Sequence, residues 1–278
     1  RQYVNYHFIN GMYYEYDVNK LYNTATSLIN RSRSATFTTR TEGNTPGKRI
    51  RLFSGSFLQN QIEDFQTIYG TPEPGKGFLI ENVFISEPDI DASNGVIHVL
   101  GAPLDIALRT DEALASDPET SIFSSWIEKH VQYELGEKDE FGWVDTTLYK
   151  SFSFGRNIAN ESVLSTVLAP TNEAIRNYFQ PYLKYIDNTI DSVPQRVMYT
   201  LIRSNIIENF WYKSDLARLN PDWKSITGYS RMIADVPSII TGSVRASNSI
   251  IYKVNKLIES PEMNSVVGGV YLKYKKFS

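Results

Sequence analysis

The 278-residue chain contains no cysteine, which excludes disulfides, thiol catalysis and cysteine metal sites. That absence does not locate the protein, since cytosolic and bacterial envelope proteins can both do without the residue. Histidine is nearly missing as well. His7, His98 and His130 are the whole set, no pair has metal-ligand spacing, and no His-Glu-x-x-His string occurs. There is no Gly-x-Ser-x-Gly nucleophile elbow. No apolar run is long enough to span a bilayer. Positive charge is not in excess: the net charge is −3 and the pI about 5.7. Without a basic field to hold a polyphosphate backbone, nucleic acid is not an expected partner. The chain opens at Arg1 without an initiator Met or a signal peptide. It therefore reads as trimmed at its start, with room for a lipid anchor upstream.

What remains is ordinary for a globular protein, with 41% apolar and 21% charged residues, enough for one large or two medium domains. Aromatics reach 13%, including 18 tyrosines, which suits β-rich folds and adhesive surfaces. Alternation at Ala35–Thr39 and Arg49–Phe53 predicts strands, as do the β-rich runs Phe78–Phe84 and Val96–Leu100. Thr71–Gly77 is a turn cluster, and Asn23–Lys48 is a long polar stretch. The acidic segment Arg109–Glu119 marks a domain boundary. Asp117-Pro118-Glu119 then predicts a helix over Ser121–Val131, with Ile122, Trp126, Ile127 and Val131 on its apolar face. Ser165–Pro170 reads as a short buried strand, followed by a helix from Thr171 to Phe179 capped by Thr171 or Asn172. Val193–Ile202 is a further helix, with Pro194 near its first turn.

The most informative feature is a repeat. Ala92-Ser93-Asn94 returns as Ala246-Ser247-Asn248, and Val96-Ile97-His98 returns as Ile250-Ile251-Tyr252. A returning strand of this kind implies two copies of one domain. Tyr3–Ile9 aligns in the same way with Met198–Ile207, and Asp17-Val18 with Asp215-Leu216.

The motifs in this order resemble the fasciclin domain, an adhesion and extracellular-scaffold module. Thr166–Ile175, with its Ala-Pro-Thr-Asn string, is similar to the first motif of that family. The stretch from Ile85 to Leu100 is similar to the second. Tyr6-His7 matches the family's Tyr-His pair, where the other copy has Ser204-Asn205. The resemblance implies an α+β fold of tandem fasciclin-like domains, each a twisted β-sandwich or wedge with packed helices. Residues 1–108 would be the C-terminal half of a first domain with a long insert, completed by upstream residues. Residues 109–258 would be a complete second domain, and 259–278 a tail or the start of a further domain.

Several motifs have plainer readings beside the functional one. Glu87-Pro88-Asp89-Ile90 resembles a peptide credited with integrin contact in animal fasciclin proteins, with Asp91 where that peptide has Met. The plainer reading is a turn fixed by Pro88 that leads into a core strand. Tyr6-His7 reads either as an adhesion determinant or as a satisfied helix end, and His98 as a structural or surface residue of an alternating strand. Gly70–Gly77 nearly spells a phosphate loop. Its Lys76 is followed by Gly77 rather than Ser or Thr, its prolines remove backbone donors, and a strand follows, so it reads as a hairpin turn. Tyr13, Tyr14, Tyr16, Trp211 and Tyr212 form aromatic clusters that suit core packing or, alternatively, an exposed platform. Asn30-Arg-Ser32 and Asn160-Glu-Ser162 fit the glycosylation triplet.

These features lead to the expectation of a non-enzymatic cell-surface or extracellular protein. It would act by adhesion or assembly through contacts with another surface or matrix protein, without cofactor or metal. Glu87, Pro88, Asp89, Ile90, Tyr6 and His7 are its candidate partner-binding residues, and the Asn23–Lys48 loop its most specific element. The missing cysteines, abundant tyrosine and polar insert resemble surface lipoproteins of Bacteroidetes, placed at the outer membrane. A carbohydrate-binding accessory module of an outer-membrane uptake complex is the alternative. A hydrolase whose site is not visible in sequence is a third reading.

Overall fold

The structure, a computed structural model, describes residues 2–9, 11–17, 35–38, 47–71, 78–136, 141–143, 148–217, 236–265 and 268–270. It is α+β and divides into two units, Arg1–Leu108 with Phe210–Arg218, and Arg109–Asn209 with Leu219–Ser278. Each unit has its own buried cluster.

The first unit opens with helix α1 (Gln2–Asn5) and is built on an antiparallel sheet. Its strands are β1 (Ala35–Thr38), β2 (Arg49–Phe53), β3 (Leu79–Ile80), β4 (Val83–Ala92) and β5 (Gly95–Leu100), side by side in that order. Helices α2 (Gly55–Asn60) and α3 (Ile62–Tyr69) follow β2. The Ser54 hydroxyl accepts from Phe57 N–H at 3.1 Å and starts α2. Gly70, at φ 78°, ends α3 in a conformation open to glycine at no steric cost. Tyr6, Ile50, Leu52, Phe78, Val83, Ile85 and Leu104 form the core under the sheet. Phe53, Phe57, Phe65 and Tyr69 pack ring on ring beside it, with centroids 5.0–5.5 Å apart. Arg51 is wholly buried, and its guanidinium donates to Tyr69 Oη at 2.9 Å and lies 4.8 Å from the Phe210 ring centroid. Burial works to lower the Arg51 pKa, but Tyr69, Glu81 and Tyr212 outweigh it and raise the value, so the buried cation stays charged.

The second unit opens with helix α4 (Thr110–Ser116), a 3₁₀ turn at Pro118–Thr120 and helix α5 (Ser121–Glu128). A hairpin of β6 (Val131–Leu135) and β7 (Leu148–Phe152) follows. Then come β8 (Ser165–Pro170), helix α6 (Asn172–Phe179), helix α7 (Gln195–Ser204) and β9 (Ile206–Glu208). The final strands are β10 (Ile240–Arg245) and β11 (Ser249–Val254). The sheet order is β10-β11-β8-β9, with β11 and β8 parallel at the centre. Every residue of β8 is buried, as a central strand covered on both faces requires. Phe123, Trp126, Ile127, Ile175, Phe179, Leu201 and Ile251 sit in one cluster, each stabilising the unit by about 1.5–3 kcal/mol through burial.

The structure corrects the sequence reading at four points and adds detail at a fifth. Phe78–Phe84 is not one strand but two, β3 and β4, joined by a tight turn at Glu81-Asn82. Glu81 is buried at φ 55°, where its carboxylate accepts from Arg51 N–H at 2.7 Å and from Tyr69 Oη–H. Tertiary bonds therefore make a turn at a residue with no turn propensity of its own. The α5 helix stops at Glu128, and Val131 starts a strand instead. His130 closes the helix by donating from Nδ1 to Trp126 O at 2.8 Å. The acidic segment Arg109–Glu119 opens the second unit, which begins at Arg109. It forms α4, whose Thr110, Asp111, Ala113 and Leu114 are buried in the second unit. Glu87–Ile90 lies within β4 rather than in a turn leading into a strand. Finally, Phe210–Arg218 groups with the first unit. Most of the Asn23–Lys48 loop, the Thr71–Gly77 turn beyond its first residue, Asn30-Arg-Ser32 and the end of the 259–278 tail lie outside the described residues.

Candidate functional site

The sequence repeat is a repeat of hairpin geometry. In the first unit Asp91 faces Val96 and Ile90 faces Ile97 across β4 and β5. In the second unit Arg245 faces Ile250 and Val244 faces Ile251 across β10 and β11, the same register at the aligned residues. Both hairpins carry a bulge further back, between Ile85 and Glu87 and between Ile240 and Gly242.

Two smaller devices repeat with the hairpin. At the end of α1 the His7 ring contacts Tyr3 O at 2.9 Å through Nδ1 and accepts from Leu104 N–H at 3.3 Å through Nε2. At the end of α7 Asn205 Nδ2 donates to Leu201 O at 2.8 Å and to Ile258 O at 3.0 Å. Leu104 and Ile258 are aligned positions, so His7 and Asn205 latch the same helix end to the same strand exit with opposite polarity. The Asp17 carboxylate accepts from Tyr14 N–H at 3.1 Å, and the Asp215 carboxylate from Tyr212 N–H at 3.2 Å. These bonds support the alignment independently of residue identity at the latch.

The two hairpins differ in what covers them. In the second unit β8 runs parallel along the outer edge of β11, from Ser249 opposite Ser165 to Val254 opposite Pro170. Asn248 is fully buried, with Oδ1 accepting from Thr110 N–H at 2.9 Å and Oγ1–H at 2.8 Å, and Nδ2 donating to Ile158 O and Asn160 O. Val244 and Ile251 pack on the helical core. In the first unit the strand neighbour of β5 is β4, and no second strand pairs with it among the described residues. Its aligned residues are open: Ser93 and Asn94 are exposed, Ile97 is 53% exposed and Val99 39%, against 0% for Ile251. Alternation puts Ile97 and Val99 on one face and Val96, His98 and Leu100 on the other. Ile90, directly opposite Ile97, is exposed on the same face.

Glu87-Pro88-Asp89-Ile90 lies on this hairpin and contains a second bulge, between Glu87 and Ile90, that β10 lacks. Pro88 cannot donate to a ladder, and bulges are among the places where a strand tolerates it. Asp89 adopts φ 59° and is held there from two sides. Its N–H donates to His98 Nδ1 at 3.2 Å, and its carboxylate accepts from Glu15 N–H at 2.9 Å. His98 Nε2 reaches Tyr13 O at 2.9 Å, so the ring bridges the bulge to the segment before it. Tyr14 Oη donates to Asp91 Oδ1 at 2.9 Å, and that bond, with the carboxylate charge, raises the Tyr14 phenol pKa. Glu87, Pro88 and Ile90 are exposed. Tyr6 is 2% exposed and belongs to the core, so its ring is not on the surface. His7 is exposed at its edge while both ring nitrogens are engaged. Of the six sequence-derived candidates, the structure thus gathers Glu87, Pro88, Asp89 and Ile90 on one exposed hairpin and assigns Tyr6 and His7 to its support. Ile97 and Val99 were not singled out by sequence, although their pairing with buried strand residues in the repeat was the available signal.

Other groups are dispersed. Trp211 and Tyr212 are buried and Tyr16 is exposed, so the aligned aromatic clusters do not form matching platforms. Among the described residues, the most exposed rings, Phe141 and Trp143, lie between β6 and β7 and were also not anticipated. Among the described residues no group of three or more His, Asp or Glu side chains is placed to hold a metal. An open cleft is lined by Ile122, Arg176, Leu183, Asn188, Thr189 and Asp191, a mixture without paired carboxylates or an activated nucleophile. Asn160 of the glycosylation triplet turns its side chain into its own loop, accepting from Ser162 N–H at 2.8 Å. No helix among the described residues is long and apolar enough to cross a membrane.

No family model matches the chain. No curated protein matches it either. Among solved structures, the chain is similar to one described as a novel fold revealed by a FAS1 domain pair from the insect cell adhesion molecule fasciclin I. The identity is 13%, the match covers 94% of this chain and 80% of that one, and the TM-score is 0.35. That overlap is too low to equate the two folds, and it assigns no function.

Proposed function

We propose that this chain is a non-enzymatic adhesion or assembly protein of the fasciclin type, acting at a cell surface or in the extracellular space through contacts with another protein. The observation that carries the reading is the doubled set of hairpin, helix latch and aspartate cap, in the motif order that fasciclin domains resemble. The contact surface is the exposed β4–β5 hairpin, with Glu87, Pro88, Ile90, Ile97 and Val99 outermost. Exposed apolar residues grouped on one face are a common mark of an interaction surface. The finer placement as an outer-membrane lipoprotein rests on composition alone.

The test is capture. Beads carrying the chain are mixed with native envelope or matrix extracts, and retained proteins are compared with those on beads carrying Ile90→Asp/Ile97→Asp. Loss of specific capture in the variant supports the reading. Equal capture by both removes the hairpin from it. Turnover of a glycan, ester or peptide by the purified chain, abolished by one carboxylate or His substitution, would replace it with an enzyme. A second reading, glycan binding, draws on the exposure of Phe141 and Trp143. It predicts that Trp143→Ala abolishes retention on a glycan array while the hairpin variant is retained.

A further inference from the structure

Resting on that reading, and adding its regulation, we infer that the Asp89 bulge is an acid-sensitive switch worked by His98. The ring holds the contact hairpin in its described shape while neutral and releases it on taking up a proton. The hydrogen bonds fix the ring's state. Asp89 N–H donates to Nδ1 at 3.2 Å, so Nδ1 carries a lone pair and no hydrogen. Tyr13 O can only accept, and Nε2 lies 2.9 Å from it, so Nε2 carries the hydrogen. The ring is therefore the neutral Nε2–H tautomer. A proton added at Nδ1 sets two donors, Nδ1–H and Asp89 N–H, against each other, and the backbone bond is lost. The Asp89 carboxylate is the acceptor that a short movement brings to the ring, since its Oδ1 lies 3.9 Å from Nδ1. That oxygen accepts from Glu15 N–H at 2.9 Å, so drawing it to the ring works against the second bond of the bulge as well. Asp89 stands at φ 59°, a left-handed conformation that a non-glycine residue keeps only where its surroundings hold it. With its N–H bond gone the backbone is free to relax, and the exposed Glu87, Pro88 and Ile90 on either side move with it.

Protons reach the ring, because 15% of the His98 side chain is exposed. Imidazole is the side chain whose charge ordinarily changes between about pH 5 and 8. Around it, Phe78 packs edge-on with 5.5 Å between centroids. β4 contributes the carboxylates Glu87, Asp89 and Asp91. The segment over residues 11–17 contributes Glu15 and Asp17, with the phenols Tyr13, Tyr14 and Tyr16. No Lys or Arg occurs among the described residues of these elements or of β5. An imidazolium there meets negative charge and no cation. The other unit lacks both halves of the device: Tyr252 stands in the place of His98, and β10 has no second bulge.

The test is a pH titration of the full chain followed by NMR, joined to the bead capture described above. At about pH 8 the ring nitrogen shifts of His98 should report hydrogen on Nε2 and none on Nδ1. On lowering to about pH 5, the Asp89 and Ile90 amides should shift with the same midpoint as the His98 ring. His98→Gln keeps a donor and an acceptor on one side chain but does not titrate, and it should abolish that amide transition. Capture should fall at least about fivefold between about pH 7.5 and 5.5 for the wild type, and less than about twofold for His98→Gln. The wild-type ring and amide titrations decide the point without any variant having to fold. Hydrogen on Nδ1 at about pH 8, Asp89 and Ile90 amides that do not follow the ring, or a transition that persists in His98→Gln would overturn the inference. Equal capture at both pH values while the bulge titrates would overturn it too. Capture absent at both, with the bulge titrating as expected, would uphold the switch and remove the contact reading alone.

Discussion

The β4–β5 and β10–β11 hairpins share register, a bulge and an Ala-Ser-Asn string at the bend, yet one is open and the other enclosed. The enclosed copy has Asn248 making bonds in four directions, Ile251 at the centre of a core and β8 along its edge. The open copy has exposed Asn94 and Ile97 in the corresponding places, and a β5 edge with no second strand among the described residues. The string therefore encodes the hairpin, while burial is conferred by whatever packs against it. The same residue type carries a structural load in one unit and is exposed in the other.

The contrast can be broken by mutation. The largest difference is expected from Asn248→Ala, which strands Thr110 and two backbone carbonyls in the interior at a cost of about 3 kcal/mol. Asn94→Ala, at the exposed bend, should stay within about 0.5 kcal/mol. Urea unfolding, read through amide exchange in β11 and in β5 separately, measures both. Ile251→Ala should cost about 3 kcal/mol by leaving a cavity, and Ile97→Ala less than about 0.5 kcal/mol. An equal cost at the two sites would mean that Ile97 is covered in solution. At the latches, Asn205→Ala should cost about 2 kcal/mol and the exposed His7→Ala about 1 kcal/mol, read as helix-end exchange at α7 and α1.

The smallest effect concerns pH. The Lys253 pKa is raised by its bond to Glu119, against partial burial, with Asp117 adding to it, and Lys150 is raised by Glu128 and Asp111 after burial opposes. A folded value above the unfolded one gives stability that is complete below about pH 10.5 and fades as pH rises through the raised value. The second unit should thus lose less than about 1 kcal/mol from Lys253 in alkali, and Lys253→Met should remove that part of the slope. The first unit, with Val99 in the aligned place, has no matching term. A pH titration of urea midpoints with exchange readout separates the two.

Much of this was legible from sequence where local and tertiary signals agree. Ser165–Pro170 reads as a buried strand because every position is small or apolar, and Thr171 announces its cap. The hairpin repeat was visible as a string, and Glu87–Ile90 was marked by its proline. What escaped was decided at a distance. The Glu81 turn depends on Arg51 and Tyr69, the burial of α4 on contacts made by Thr110 and Asp111, and the grouping of Phe210–Arg218 on Arg51 and Asp64. The openness of Ile97 was hidden for the same reason, since its sequence matches that of a core strand.

The parallel pairing of β8 with β11 also has a kinetic meaning. The β10–β11 hairpin closes locally, whereas β8 must return from far along the chain, a contact whose loop-closure entropy is paid before it is rewarded. Loop-closure entropy therefore favours the hairpin forming first, with β8 docking on its outer edge afterwards.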